Sequence, residues 1–202
     1  MSIDDVPTTM SLPLVLASAS PRRREILGFL GVPFTIEPAD VDETPVPGET
    51  PEEMVVRLAL TKARAVAARH DKGLVIGSDT TVALEDRVFG KPVDEEDARA
   101  MLGALQGVTH RVVTGLAVVR ASDGAERTLA VPALVTMRPL DAAEIAAYVA
   151  TGEPLDKAGA YGAQGQGGML IKKIDGPYLA VVGLPIDDLL PLLHELGWTP
   201  AK

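Results

Sequence analysis

The sequence predicts an α/β fold built on a mixed β-sheet flanked by helices. Short apolar runs alternate with segments of helical periodicity, and several of those helical segments carry explicit start signals. Two pairs of strand candidates are also close enough in sequence to form hairpins, so the sheet is mixed rather than purely parallel.

The elements follow in order. Leu14–Ala17 is a short apolar strand. Ser20 and Pro21 then announce a helix, Ser as N-cap and Pro at the first helical position, with Ile26, Leu27 and Leu30 as its buried stripe and Gly31 at its end. Residues 38–51 are rich in proline and acid and read as a loop. Thr50-Pro51-Glu52-Glu53 is a capping box with Pro at N1, opening a long helix to about Ala68. Leu74–Ser78 and Thr81–Leu84 read as two strands, followed by a turn at Glu85-Asp86-Arg87. Asp94 caps a helix that turns Ala98, Met101, Leu102 and Leu105 inward. Arg111–Arg120 and Thr128–Arg138 pair across a turn at Ser122-Asp123-Gly124. Asp141, with Glu144 three residues on, opens another helix closed by Gly152. Met169–Ile174 and Leu179–Gly183 read as two strands around Asp175-Gly176-Pro177, and Ile186–Leu196 is a final helix.

With 202 residues the chain suits one sizeable domain or two small lobes sharing a cleft. A chain of this size buries roughly 70% of its unfolded surface without a covalent staple. Residues 1–12 carry Asp4 and Asp5, lack the features of a signal peptide, and read as a frayed tail ahead of a single domain over 13–198. There are no cysteines, which excludes disulfides and thiolate metal sites and favours a reducing, cytoplasmic location. Any metal must sit on carboxylate, imidazole or substrate oxygens. A net charge of -9 disfavours nucleic acid and anionic membranes as partners. No run approaches ~18 uninterrupted apolar residues, so no membrane span is expected. A small anionic substrate stays open, provided positive charge is concentrated locally. The sequence leaves the oligomeric state open, a homodimer included.

Three segments could carry chemistry. Ser18-Ala19-Ser20-Pro21-Arg22-Arg23-Arg24 lies between a strand and a helix start, where unpaired backbone N–H groups and the helix dipole attract anions. Arginine forks suit phosphate, although Ser20 reads equally as a cap and Arg24 as a solvated side chain. No Gly-rich loop ending in Lys-Ser or Lys-Thr is present, so the chain is not a P-loop protein. In Gly77-Ser78-Asp79-Thr80, Asp79 follows an apolar strand. A carboxylate at a strand's end can accept a proton or hold a metal, and it can equally cap a turn. The segment 159–168 holds five glycines in ten residues, which points to close backbone approach or positive φ, or else to a flexible connector. Gln164 within it can both donate and accept, which suits a base edge. Lys62, Lys91 and Asp42-Glu43 read individually as solvated charges. His110 and His194 are too isolated for a ligand set, and Trp198 reads as packing or a loose end.

Taken together in this order, the motifs resemble the Maf family of nucleoside triphosphate pyrophosphatases, also called septum formation inhibitors. The resemblance runs from Leu14 to Gly197. It rests on Leu-Ala-Ser-Ala-Ser-Pro-Arg-Arg at 16–23, Asp42-Glu43, Arg57-Leu58-Ala59 with Lys62-Ala63, Gly-Ser-Asp-Thr at 77–80, Lys91-Pro92, Thr114-Gly115, Asp156-Lys157-Ala158-Gly159-Ala160-Tyr161-Gly162, and Val182-Gly183-Leu184-Pro185. No single piece is specific, whereas the ordered set is.

The resemblance implies a fold like that of inosine-triphosphate pyrophosphatases, an elongated mixed sheet with a cleft between two lobes. It implies cleavage between the α- and β-phosphates with a divalent metal cation, Mg2+ or Mn2+. Ser18, Arg22, Arg23, Lys62 and Lys91 would bind the substrate, Asp79 would be the general base, and Glu43 and Asp79 would hold the metal. The dTTP/UTP-type members carry Arg, Thr and Gln where this sequence has Arg22, Thr80 and Gln164, while 7-methyl-GTP-type members carry Trp, Gln and Glu, so the chain resembles the pyrimidine type. Ala163 departs from the pattern, standing where a larger aliphatic residue is common. Modified pyrimidine nucleotides remain compatible with the same residues. An alternative expectation is a nucleotide-binding regulator of cell division without essential catalysis.

Overall fold

The computed structural model describes residues 12–200; most of the expected N-terminal tail lies outside them. Seven strands form one open mixed sheet: β1 (Leu14–Leu16), β2 (Phe34–Ile36), β3 (Leu74–Leu84), β4 (Arg87–Phe89), β5 (Thr109–Arg120), β6 (Glu126–Met137) and β7 (Ile171–Asp175). The order is β2-β1-β3-β5-β6-β7, with β4 also on β3. β1 runs parallel to β2 and β3, and the remaining pairings are antiparallel. Among the described residues six α-helices accompany the sheet: α1 (Pro21–Gly28), α2 (Pro51–Ala67), α3 (Glu95–Leu105), α4 (Ala142–Val149), α5 (Tyr178–Val182) and α6 (Ile186–Glu195).

The start signals act as their chemistry requires. The Ser20 hydroxyl caps α1 by accepting from the Arg23 amide, and both Thr50 with Glu53 and Asp141 with Glu144 close reciprocal capping boxes. Asp94 caps α3, whose Ala98, Met101, Leu102 and Leu105 are all buried. Trp198 belongs to the core, at 2% exposure, and stacks on His194.

The structure departs from sequence expectation at several places. The runs at 74–78 and 81–84 are one strand, β3; its polar centre, Ser78-Asp79-Thr80, interrupts the apolar pattern but not the ladder to β5. Leu179–Gly183 is not a strand. Its β-branched run winds into helix α5 between Pro177, which occupies the N-cap, and Gly183, whose positive φ of 118° ends the helix. β7 begins only at Ile171, because Gly165–Leu170 coils into a 3-10 helix. Neither β2 nor β4 was expected; each is three residues long, too short for a periodic signal, and β4 begins at Arg87, which the sequence places in the turn.

Alternation along β3 divides the core. Leu74, Ile76 and Val82 face one side of the sheet, where α1, α5 and α6 pack over the first two and α3 and α4 over the third; Val75 faces the other, under α2. On the first side the two apolar clusters are separated by a polar row formed by Ser78, Thr80 and Thr114, all wholly or partly buried. The helix α2 lies close on the opposite face, because the sheet there is bare backbone. A Cβ at Gly77 would stand 2.0 Å from the Ala59 carbonyl oxygen, and one at Gly115 would stand 2.2 Å from that of Val55.

The register also opens a gap. β1 covers one edge of β3 at 74–76, and β4 covers the same edge at 82–84, whereas β5 covers the other edge throughout. Residues 77–81 therefore have a strand neighbour on one side only, and the candidate site lies at that break.

Candidate active site

The break in the ladder opens into a cavity of about 700 Å³ at the C-terminal end of β1. That is where open α/β sheets place ligands, because strand ends and helix starts leave backbone groups unpaired there. The nine residues given site roles from the resemblance all line it: Ser18, Arg22 and Arg23 from the β1–α1 turn, Glu43 from the acidic loop, Lys62 from α2, Asp79 and Thr80 from β3, Lys91 after β4, and Gln164 from the glycine-rich segment. Arg24, in contrast, faces a separate shallow groove on the outer side of α1, in line with its reading as a solvated side chain.

Asp79 does not sit at a strand's end, as the sequence suggested, but near the middle of β3, opposite Gly115 on β5. Odd-numbered β3 residues face α2, so its carboxylate meets Lys62. Lys62 Nζ lies 2.7 Å from Asp79 Oδ1 and 2.6 Å from Glu43 Oε1. The Lys62 residue is only 8% exposed. Burial alone would raise the Glu43 carboxyl; the Lys62 hydrogen bond and charge, with Lys91 and Arg23 behind them, outweigh it and hold Glu43 below its ordinary range.

Arg23 is held on the other face of β3. Its Nε donates to the Gly183 carbonyl at 2.9 Å, one terminal nitrogen to Ser18 Oγ at 3.3 Å and the other to Thr80 Oγ1 at 3.1 Å. Thr114 Oγ1 donates to the Ala180 carbonyl at 2.7 Å, so in the 2.8 Å Thr80–Thr114 contact the Thr80 hydroxyl is the donor. Thr80 thus accepts from Arg23 and donates to Thr114. Burial lowers the Arg23 pKa, and the nearby Asp79 charge opposes that. Ser18 Oγ accepts from the Ser20 amide and from Arg23, which leaves its own proton to donate.

Two carboxylates, Glu43 and Asp79, therefore converge from different elements, and among the described residues no group of three or more His, Asp or Glu forms a closed metal cage. Such a donor set fits a magnesium-like cation, which binds through one or two carboxylates and completes its sphere with water and substrate phosphate.

Sequence reasoning missed several partners. Arg22 pairs with Asp156, its terminal nitrogen 3.2 Å from Oδ2. Glu153 accepts from the Gln166 and Gly167 amides at 3.0 and 2.9 Å and from the Tyr148 hydroxyl at 3.0 Å. Asp156 opens the segment Asp156–Gly162, and nothing local ties it to a residue 134 positions away. The glycine-rich segment is folded tightly: a Cβ at Gly167 would stand 2.4 Å from the Gly162 carbonyl oxygen.

A family model described as Maf-like protein matches residues 13–196. The chain belongs to the Maf family. A Maf relative from Moorella thermoacetica, named dTTP/UTP pyrophosphatase, is 53% identical over 91% of this chain and 95% of its own length. Relatives of the same name from Myxococcus xanthus and Nitratidesulfovibrio vulgaris are 50% and 48% identical, covering 91% and 95% of this chain and 92% and 91% of their own lengths. The seven-stranded mixed sheet flanked by helices agrees with the fold expected of the Maf family. Among the described residues no helix is long and apolar enough to cross a membrane.

Proposed function

We propose that the chain hydrolyses dTTP and UTP to the nucleoside monophosphate and pyrophosphate. One observation carries this reading: in a protein of net charge -9, Arg22, Arg23, Lys62 and Lys91 gather with Asp79 around one cavity. A polyanion finds there what the rest of the surface denies it. The names of the relatives at about half identity point to the same substrates.

In this reading Ser18, Arg23, Lys62 and Lys91 bind the phosphates, with Arg23 pre-set by its bonds to Gly183 and Thr80. Asp79 Oδ1 is engaged by Lys62. Oδ2 is the oxygen assigned to take a proton from a water aimed at the α-phosphorus. As that water's oxygen bonds to phosphorus, the bond to the bridging oxygen breaks and pyrophosphate leaves with the electron pair. Lys62 and Lys91 stabilise the charge that develops there. Glu43 and Asp79 would hold a divalent cation, Mg2+ or Mn2+, which when bound supplies Lewis-acid polarisation of phosphate oxygens and charge neutralisation. Arg22 and Gln164 read the base, and the reaction runs on free nucleotides in the cytoplasm.

A regulator that only binds nucleotide has no need of a carboxylate held between a lysine and the phosphate-binding cations. Pyrophosphate release from a panel of triphosphates, with and without Mg2+, tests the proposal. Metal-dependent release strongest with dTTP and UTP is expected. Binding without release, or equal rates on purine triphosphates, would overturn it.

A further inference from the structure

The 3-10 turn Glu153–Asp156 has no part in the chemistry above, yet it carries two carboxylates, one paired with Arg22 and the other with backbone amides two and three residues beyond Gln164. Asp156 bridges two cations, Arg22 at 3.2 Å and Lys157 at 2.5 Å. Burial alone would raise its carboxyl, but Lys157 and Arg22 outweigh this and lower it. Glu153 collects three donors, the amides of Gln166 and Gly167 and the Tyr148 hydroxyl, and so pins the backbone just beyond Gln164. Lys157 ties the turn to itself by donating to the Glu153 carbonyl at 2.5 Å. Alone, each contact is ordinary. Together they tie Arg22, on α1, and the backbone just beyond Gln164, on the glycine-rich segment, to one short turn whose Asp156 lines the cavity.

We propose that Glu153 and Asp156 are positioning residues for base selection, setting the distance and angle between the Arg22 fork and the Gln164 amide. This rests on the reading of Arg22 and Gln164 as base-contacting groups. The chemistry discriminates uracil from cytosine. Uracil offers a carbonyl acceptor at C4 where cytosine offers an amino donor. An arginine fork can donate only, so a fork held in place accepts the first base and opposes the second. Asp156 also occupies part of the Arg22 charge, which directs that side chain to the base rather than to the phosphates.

The test is the ratio of kcat/KM for UTP to that for CTP, measured on wild type, Arg22→Ala, Glu153→Gln and Asp156→Asn. The ratio does not depend on the fraction of enzyme that is folded, so a merely destabilised variant leaves it unmoved. Glu153→Gln replaces one acceptor oxygen with an amino group, and Asp156→Asn removes the charge that holds Arg22. Each is expected to lower the ratio by about tenfold, chiefly through the KM for UTP. Asp156→Glu, which keeps the charge, should restore most of it. If wild type itself does not prefer UTP, or Arg22→Ala keeps the preference, the base-reading assignment fails and this inference with it. If wild type prefers UTP and Arg22→Ala loses that preference while Glu153→Gln and Asp156→Asn retain it, only the positioning role is wrong.

Discussion

The ammonium of Lys62 stands 2.7 Å from the carboxylate of Asp79, 17 residues on in the chain, and touches Glu43 at the same time. The contact exists because α2 lies almost against bare backbone of β3 and β5, and because β3 lacks a neighbour on one edge between β1 and β4. One lysine thereby holds two carboxylates from different segments at the site where a polyphosphate and its metal would meet.

Removing that lysine should change the pH profile as well as the rate. Lys62 lowers the Glu43 carboxyl against the opposing effect of burial. In Lys62→Met only the weaker charges of Lys91 and Arg23 still oppose burial, so Glu43 ionises at higher pH and the acid limb of the kcat/KM profile moves upward in pH. The loss at neutral pH should be about 10²-fold, comparable with deleting a preorganised donor. An unmoved acid limb with near-wild-type rates would show that Lys62 governs neither carboxylate.

The close seating of α2 can be tested at Gly115, where a methyl group would collide with the Val55 carbonyl and the Val56 amide. Backbone atoms cannot rotate away, so α2 must move, taking Lys62 with it. Gly115→Ala should cost about 3 kcal/mol, the upper end for overpacking. In a domain of this size that is a fall in Tm of roughly 6–12 °C by thermal denaturation. A Tm unchanged from wild type would mean that the helix has room to spare.

His110 gives a pH dependence of stability. It is 2% exposed, its Nε2 lies 2.6 Å from the Tyr161 hydroxyl, and Nδ1 has no partner. Desolvation lowers its pKa from an ordinary 6.5 to about 4. Between those values the unfolded chain binds a proton that the folded chain refuses. Stability from this source is therefore complete above about pH 6.5 and declines as the pH falls toward 4, by about 2 kcal/mol at pH 5. Denaturant titrations at pH 7.5 and pH 5 should show a larger loss in wild type than in His110→Phe, and equal losses would rule out His110 as the cause.

Local signals made most of this fold readable. Caps at Ser20, Thr50, Asp94 and Asp141 depend on neighbours three residues away, so sequence carries them directly. Leu179–Val182 was misread because β-branched composition favours a strand, while the boundary residues Pro177 and Gly183 decide for a helix. The polar centre of β3 misleads for a related reason: Asp79 and Thr80 line the cavity, Ser78 donates to the buried Gly183 carbonyl, and the ladder to β5 continues past all three. Lys62 and Lys91 read individually as solvated, and the ordered motifs alone suggest that they meet the arginines of the β1–α1 turn. What sequence could not supply were contacts closed by tertiary structure, such as Arg22 with Asp156 and Glu153 with the amides beyond Gln164.

Asp79→Asn offers the most direct test, read as nucleotide binding and pyrophosphate release on the same sample. The shape of the carboxylate is kept while its basicity is lost, so dTTP should still bind within a few-fold of wild type while turnover falls by about 10²-fold or more. Turnover at the wild-type rate in that variant would contradict the assignment of Asp79 as the base and, with it, the reaction assigned to this cavity.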